Sequence, residues 1–124
     1  MADTPSRSVK VCAALLDPKT SRADARLVAQ FLGLSPPALA EAIGEAPRAM
    51  LRAPTALRLQ RRLRPLVRIA VSLLTLFDDA EQSQDWLNAP HPELDNVAPI
   101  DLVKRKKASV VADLLEDALL GHPG

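Results

Sequence analysis

Leu27, Val28, Phe31 and Leu32 recur at the three- and four-residue spacing of one helix face. Ser21 precedes them with Asp24 three residues on, in capping-box form, and Gly33 follows as a stop. Ser35 then reads as the N-cap of a second helix, with Pro36 and Pro37 in its first turn, where no N–H is needed. Leu39, Ala42 and Ile43 form its buried face, and Gly44 is a natural left-handed end. Pro47 opens a third short helix carrying Arg48, Met50, Leu51 and Arg52, which Pro54 closes.

Residues 55–77 read as one long helix, basic at first and apolar on nearly every side after Pro65. Proline removes a helix hydrogen bond and crowds the preceding turn, so a kink or break is expected near Arg64. A helix apolar all round is buried from several sides. In so small a chain this predicts a homodimer, with Leu66, Ile69 and Leu73 in the seam. Asp78 is expected to cap the next helix with Glu81 as its partner, and Trp86 and Leu87 end it. Trp86 reads as core in preference to a partner-facing anchor. Pro99 begins a short helix over 100–103, ahead of Lys104, Arg105, Lys106 and Lys107. Ser109 is read as the cap of the last helix, whose face of Val110, Val111, Leu114, Leu115, Ala118 and Leu119 opposes Asp113, Glu116 and Asp117. Gly121 to Gly124 form a short tail. Residues 1–20 show no period and read as a flexible or loosely docked arm.

Composition supports an all-α fold. Apolar residues make up 48% of the 124, but aromatics only 2%, so the core is built of Leu, Val, Ile and Ala. Net charge is +1 and conceals an asymmetry: residues 1–77 balance at +7 and residues 78–124 at −6. A chain divided in this way presents two surfaces to two partners. The longest apolar run, 69–77, is too short to span a bilayer, and no signal peptide is evident, so a cytoplasmic protein is expected.

Two short helices joined by a Gly-containing turn outline a helix-turn-helix. Arg48, Arg52, Arg58, Arg61, Arg62, Arg64 and Arg68 follow in a window, 46–77, that contains no acid. Such a cluster neutralises phosphates and releases counterions, giving affinity for nucleic acid without reading sequence. The competing reading is a solvated cationic face, or arginines paired with acids elsewhere in the chain.

No catalytic or metal site emerges. His91 and His122 follow no metal spacing and read as exposed loop and tail residues. Asp78 and Asp79 are adjacent and diverge. Cys12 stands alone without a nearby base, and there is no Gly-rich phosphate loop. A binder without a cofactor is expected, not an enzyme.

The order Phe77-Asp78, Trp86-Leu87, Pro90, Leu94, Pro99-Ile100-Asp101-Leu102 and residues 110–115 resembles the C-terminal toxin-binding domain of the Xre/MbcA/ParS antitoxins, with the ParS-like members closest. Upstream, L-G-L-S-P-P-A-L-A-E-A-I-G followed by an Arg-rich helix is similar to that family's Xre-type helix-turn-helix. The resemblance implies a flexible arm over 1–20, a helix-turn-helix region over 21–65 and a toxin-binding and dimerisation domain over 66–124. It implies an antitoxin that blocks a RES-domain toxin, an enzyme that degrades NAD or transfers its ADP-ribose. The last helix and tail would cover the NAD pocket through Leu119, Leu120, Gly121 and His122. Asp113, Glu116 and Asp117 would pair with the arginines that hold pyrophosphate there. Arg48, Arg52, Arg58, Arg61 and Arg62 would contact the operon's promoter, and the dimer would join the toxin in a hetero-oligomer. Two positions depart from the family's pattern, with Asp95-Asn96 and Ala108-Ser109 standing where Gly is common. The alternative is a free-standing dimeric helix-turn-helix regulator.

Overall fold

The computed structural model describes residues 14–121, and Cys12 and His122 lie outside them. Among the described residues there are seven α-helices and one 3-10 turn, with no strand beyond two isolated bridges, so the fold is all-α as expected.

Helix α1 (Ala25–Leu32) is capped by Asp24, whose carboxylate accepts from the Arg26 N–H at 2.9 Å. Ser21, expected to be the cap, lies instead in a turn at φ 59. The reason is a docked lead-in. Leu15 is completely buried, Leu16 bridges Ala23, and the Asp24 N–H donates to the Leu15 carbonyl at 2.8 Å. The last residues of the expected flexible arm are therefore part of the core. Gln60 holds them from the other side, accepting from the Ala23 N–H at 2.9 Å and donating to its carbonyl at 3.0 Å.

Gly33 ends α1 at φ 74. The Gln84 amide donates to the Gln30 and Phe31 carbonyls at 3.3 and 3.1 Å, closing the helix end from another element. A Cβ on Gly33 would stand 3.2 Å from Gln84 Cδ, in a conformation L-residues avoid. Gly33→Ala is therefore expected to cost about 1–2 kcal/mol, read as a lower urea midpoint at unchanged m-value.

Helix α2 (Pro36–Ile43) starts as expected, with Ser35 Oγ accepting from the Ala38 N–H at 3.2 Å, and ends at Gly44, φ 73. Helix α3 (Pro47–Arg52) follows. Helix α4 (Leu57–Leu76) is the spine, and α1 and the last helix pack along it. It runs unbroken through Pro65, so the expected break does not occur. The carbonyl deprived of a donor belongs to Arg61, an exposed residue that water can serve.

The seam assigned to Leu66, Ile69 and Leu73 is also corrected. They are 2%, 0% and 0% exposed and belong to the chain's own core, because other helices of the same chain cover α4. The division at 65/66 falls inside this helix, and residues on both sides of it share one core.

Helix α5 (Ala80–Asn88) is capped by Asp79, one residue later than expected. Its carboxylate accepts from the Gln82 N–H at 2.8 Å, and the Gln82 side chain accepts from the Asp78 N–H at 3.3 Å. After the 3-10 turn Pro92–Leu94, Asp95 and Asn96 turn the chain at φ 56 and 63. These are the left-handed conformations a Gly would have supplied; Asn and Asp tolerate them best among other residues. Helix α6 (Pro99–Lys104) leads through Lys106, φ 66, into α7 (Ala108–Leu119). Ser109 lies inside α7 and does not cap it. The helix start has no side-chain cap.

Candidate partner-binding site

Helix α7 runs beside α4 and buries Ala108, Val111, Ala112 and Leu115, a stripe at i, i+3, i+4 and i+7. This is narrower than the face read from the sequence. Leu114 is half-buried, Ala118 is exposed, and Val110, Leu119 and Leu120 are 47%, 38% and 70% exposed. The helix therefore carries more apolar surface than its own fold uses. Gly121 follows in the left-handed conformation, at φ 75.

Beside this end opens a cleft of about 430 Å³. Leu76 of α4, Trp86 of α5, and Leu114, Ala118 and Gly121 line it, with Glu93 and Asp117 adding acids. Trp86 is half-buried against the core and forms a wall of the cleft, so it is neither simple core nor a free anchor. The His91 ring meets it edge-on, centroids 5.7 Å apart. Its Nδ1 accepts from the Glu93 N–H at 3.2 Å, and its backbone N–H donates to Val97. His91 is thus built into the turn and is not the exposed loop residue expected.

Two of the acids expected to face a partner's arginines are engaged within the chain. Arg68 of α4 grips Glu116 with two nitrogens, at 2.9 and 2.6 Å, and Asp113 at 2.7 Å. The fork matches a carboxylate in plane, the strongest geometry for such a pair. Its hydrogen bonds hold the Glu116 carboxyl below the usual range, against a smaller opposing effect of burial. A depressed carboxyl contributes stability above its unfolded value and loses it as pH falls through the folded one. Wild-type stability is therefore expected to fall below about pH 4.5, near the ordinary Glu value, more steeply than that of Glu116→Gln. Urea melts at successive pH values would show this; parallel curves would contradict it.

Sequence spacing could not have revealed this clamp, since its partners stand 48 and 45 residues apart. Gln60 and Gln84, which tie distant backbones together, carry no local signal either. Asp117 and Gly121 line the cleft, Leu119 and Leu120 are exposed but do not line it, and His122 falls outside the described residues.

In the basic half, the expected arginines divide into two sets. Arg58 and Arg62 both pair with Glu45, at 2.6 and 3.0 Å, and Arg62 donates to the Gly44 carbonyl at 2.8 Å. Arg48, Arg52, Arg61 and Arg64 are exposed and join none of the ion pairs among the described residues. No group of His, Cys, Asp and Glu among the described residues could hold a metal ion, and no helix is long and apolar enough to cross a membrane.

Comparison with known proteins gives the following. Residues 72–119 match the family described as the antitoxin Xre/MbcA/ParS C-terminal toxin-binding domain. The matched segment runs from the second half of α4 to the end of α7, and so includes every residue lining the cleft except Gly121, and the exposed Val110 and Leu119 but not Leu120. No curated protein matches the sequence. Among solved structures the fold is similar to a chain in the crystal structure of the M. tuberculosis MbcT–MbcA toxin–antitoxin complex. That match has 23% identity and a TM-score of 0.54, and covers 76% of this chain and 88% of that one. The chain is thus similar in sequence, over residues 72–119, to the Xre/MbcA/ParS C-terminal toxin-binding domain, and in fold, over three quarters of its length, to a chain of that complex.

Proposed function

We propose that the protein is an antitoxin that binds and neutralises an NAD-consuming RES-domain toxin, covering its active site with the end of α7 and the tail that follows. The observation that carries this is the surplus apolar surface of α7, with Val110 and Leu119 exposed inside the segment that matches a toxin-binding domain and Leu120 exposed just beyond it. Exposed leucines on the helix that also lines a cleft with an aromatic wall have the composition of an interface centre. Asp113 and Glu116 are engaged by Arg68, so the toxin's pocket is met chiefly by apolar contact. The protein acts as a binder without a cofactor, in the cytoplasm, and assembles with its toxin as a hetero-oligomer. Co-expression with the protein encoded by the neighbouring gene, followed by co-purification and an NAD-consumption assay, tests this. A co-eluting complex with suppressed NAD loss is expected. A toxin that neither binds nor loses activity would contradict it.

A second role, autoregulation at the operon's promoter, is favoured by Arg48, Arg52 and Arg61, exposed on or beside the helix-turn-helix outline of α1 to α3. Arg58 and Arg62 share one carboxylate and keep a net positive charge beside them. A free-standing regulator would use the same surface and would need no toxin.

A further inference from the structure

We propose that the cationic turn between α6 and α7 is a second contact for the phosphate backbone of duplex DNA, continuous with the arginine surface of α3 and α4. The inference rests on the DNA-binding role proposed above and extends its surface into the toxin-binding segment. Lys104, Arg105, Lys106 and Lys107 are all exposed and join none of the ion pairs among the described residues.

The two cationic regions meet physically. Lys106 and Arg62 line one depression of about 240 Å³ with Gly44, Pro65 and Ser109, and no acid lines it. From there Arg62 reaches Glu45, Glu45 reaches Arg58, and Arg58 Nη2 donates to the Ala49 carbonyl at 3.4 Å, between Arg48 and Arg52 on α3. Arginines and lysines thus recur from α3 across α4 to the start of α7, with the Glu45 carboxylate shared by two of the arginines. Lys106 holds φ 66, a conformation that costs a non-glycine residue about 1–2 kcal/mol. The chain keeps a lysine there all the same.

Duplex DNA suits this surface because it offers one charge about every 1.7 Å along its axis and can engage both ends at once. A bilayer contact needs large apolar anchors among the cations. None is present in the run Lys104 to Lys107, and Ile43 and Leu66 at the depression are buried; the exposed Leu51 and Leu57 stand beside Arg52 and Arg58, away from this run.

The test uses the full chain and a labelled mixed-sequence duplex of about 30 bp, read by fluorescence anisotropy between roughly 50 and 200 mM salt. Lys104→Gln, Lys106→Gln and Lys107→Gln together are expected to flatten the salt slope by about 2–3, at about 0.9 per phosphate contact. Affinity at the lowest salt should fall at least tenfold, with the thermal midpoint retained. Arg48→Gln with Arg52→Gln should flatten the slope independently. If the lysine variant keeps the wild-type slope while the arginine variant flattens it, the turn is not a contact and the DNA-binding role stands. If wild type does not bind duplex at the lowest salt, the role and the inference fall together. A lysine variant that keeps its duplex slope but loses binding to phosphatidylglycerol vesicles would assign the turn to a membrane and overturn the inference.

Discussion

Leu119→Asp combined with Leu120→Asp is expected to weaken toxin binding at least 100-fold, about 2.7 kcal/mol, without lowering the thermal midpoint. The two side chains are 38% and 70% exposed, so the fold gains little from them. Exposed substitutions outside caps, cores and ion pairs usually stay within about 0.5 kcal/mol of wild type. At an interface centre the same residues are desolvated on binding, and a carboxylate there is left without a partner. The contrast between intact folding and lost binding marks a surface kept for a partner. Isothermal titration of the toxin with each variant measures it. Retained affinity would place the interface elsewhere on the chain.

Leu73→Ala is expected to have the opposite signature, a loss of about 2–5 kcal/mol in stability that does not depend on protein concentration. Leu73 is fully buried where α4 meets its neighbours within one chain. Truncation leaves a cavity in the only core the described residues contain, and Ile69→Ala should behave alike. Were these residues the seam of a dimer, the loss would grow on dilution, because dissociation and unfolding would be coupled. Urea melts at two concentrations tenfold apart distinguish the cases, and coincident midpoints are expected.

What could be read from the chain followed from local chemistry. Gly33, Ser35, Gly44 and Pro47 act through their own backbone or the next turn, and each stands where its chemistry requires. Errors of one to three residues came where two acids or hydroxyls competed for a cap. Asp24 displaced Ser21 because Leu15 docks the lead-in, and Asp79 displaced Asp78. Packing was misread where an apolar surplus was assigned to the wrong helix. The all-round apolar half of α4 is covered by the chain itself, whereas α7, whose pattern promised one clean face, keeps apolar residues outside. How far a helix is covered depends on its neighbours in space, and periodicity does not carry that information. The Arg68 clamp was invisible for the same reason, since ion pairs across 45 residues leave no mark in spacing. Of the binding site, the type and place of the segment were legible. That Arg68 engages Glu116 and Asp113 was not.

The most direct test of the account is amide hydrogen exchange of the chain alone and in complex with its toxin. Protection on binding is expected over residues 114–121 and around Trp86 and His91, where α7 ends beside the cleft, with little change in α1 to α3. Protection confined to α1 to α3, with the end of α7 exchanging as in the free chain, would contradict it.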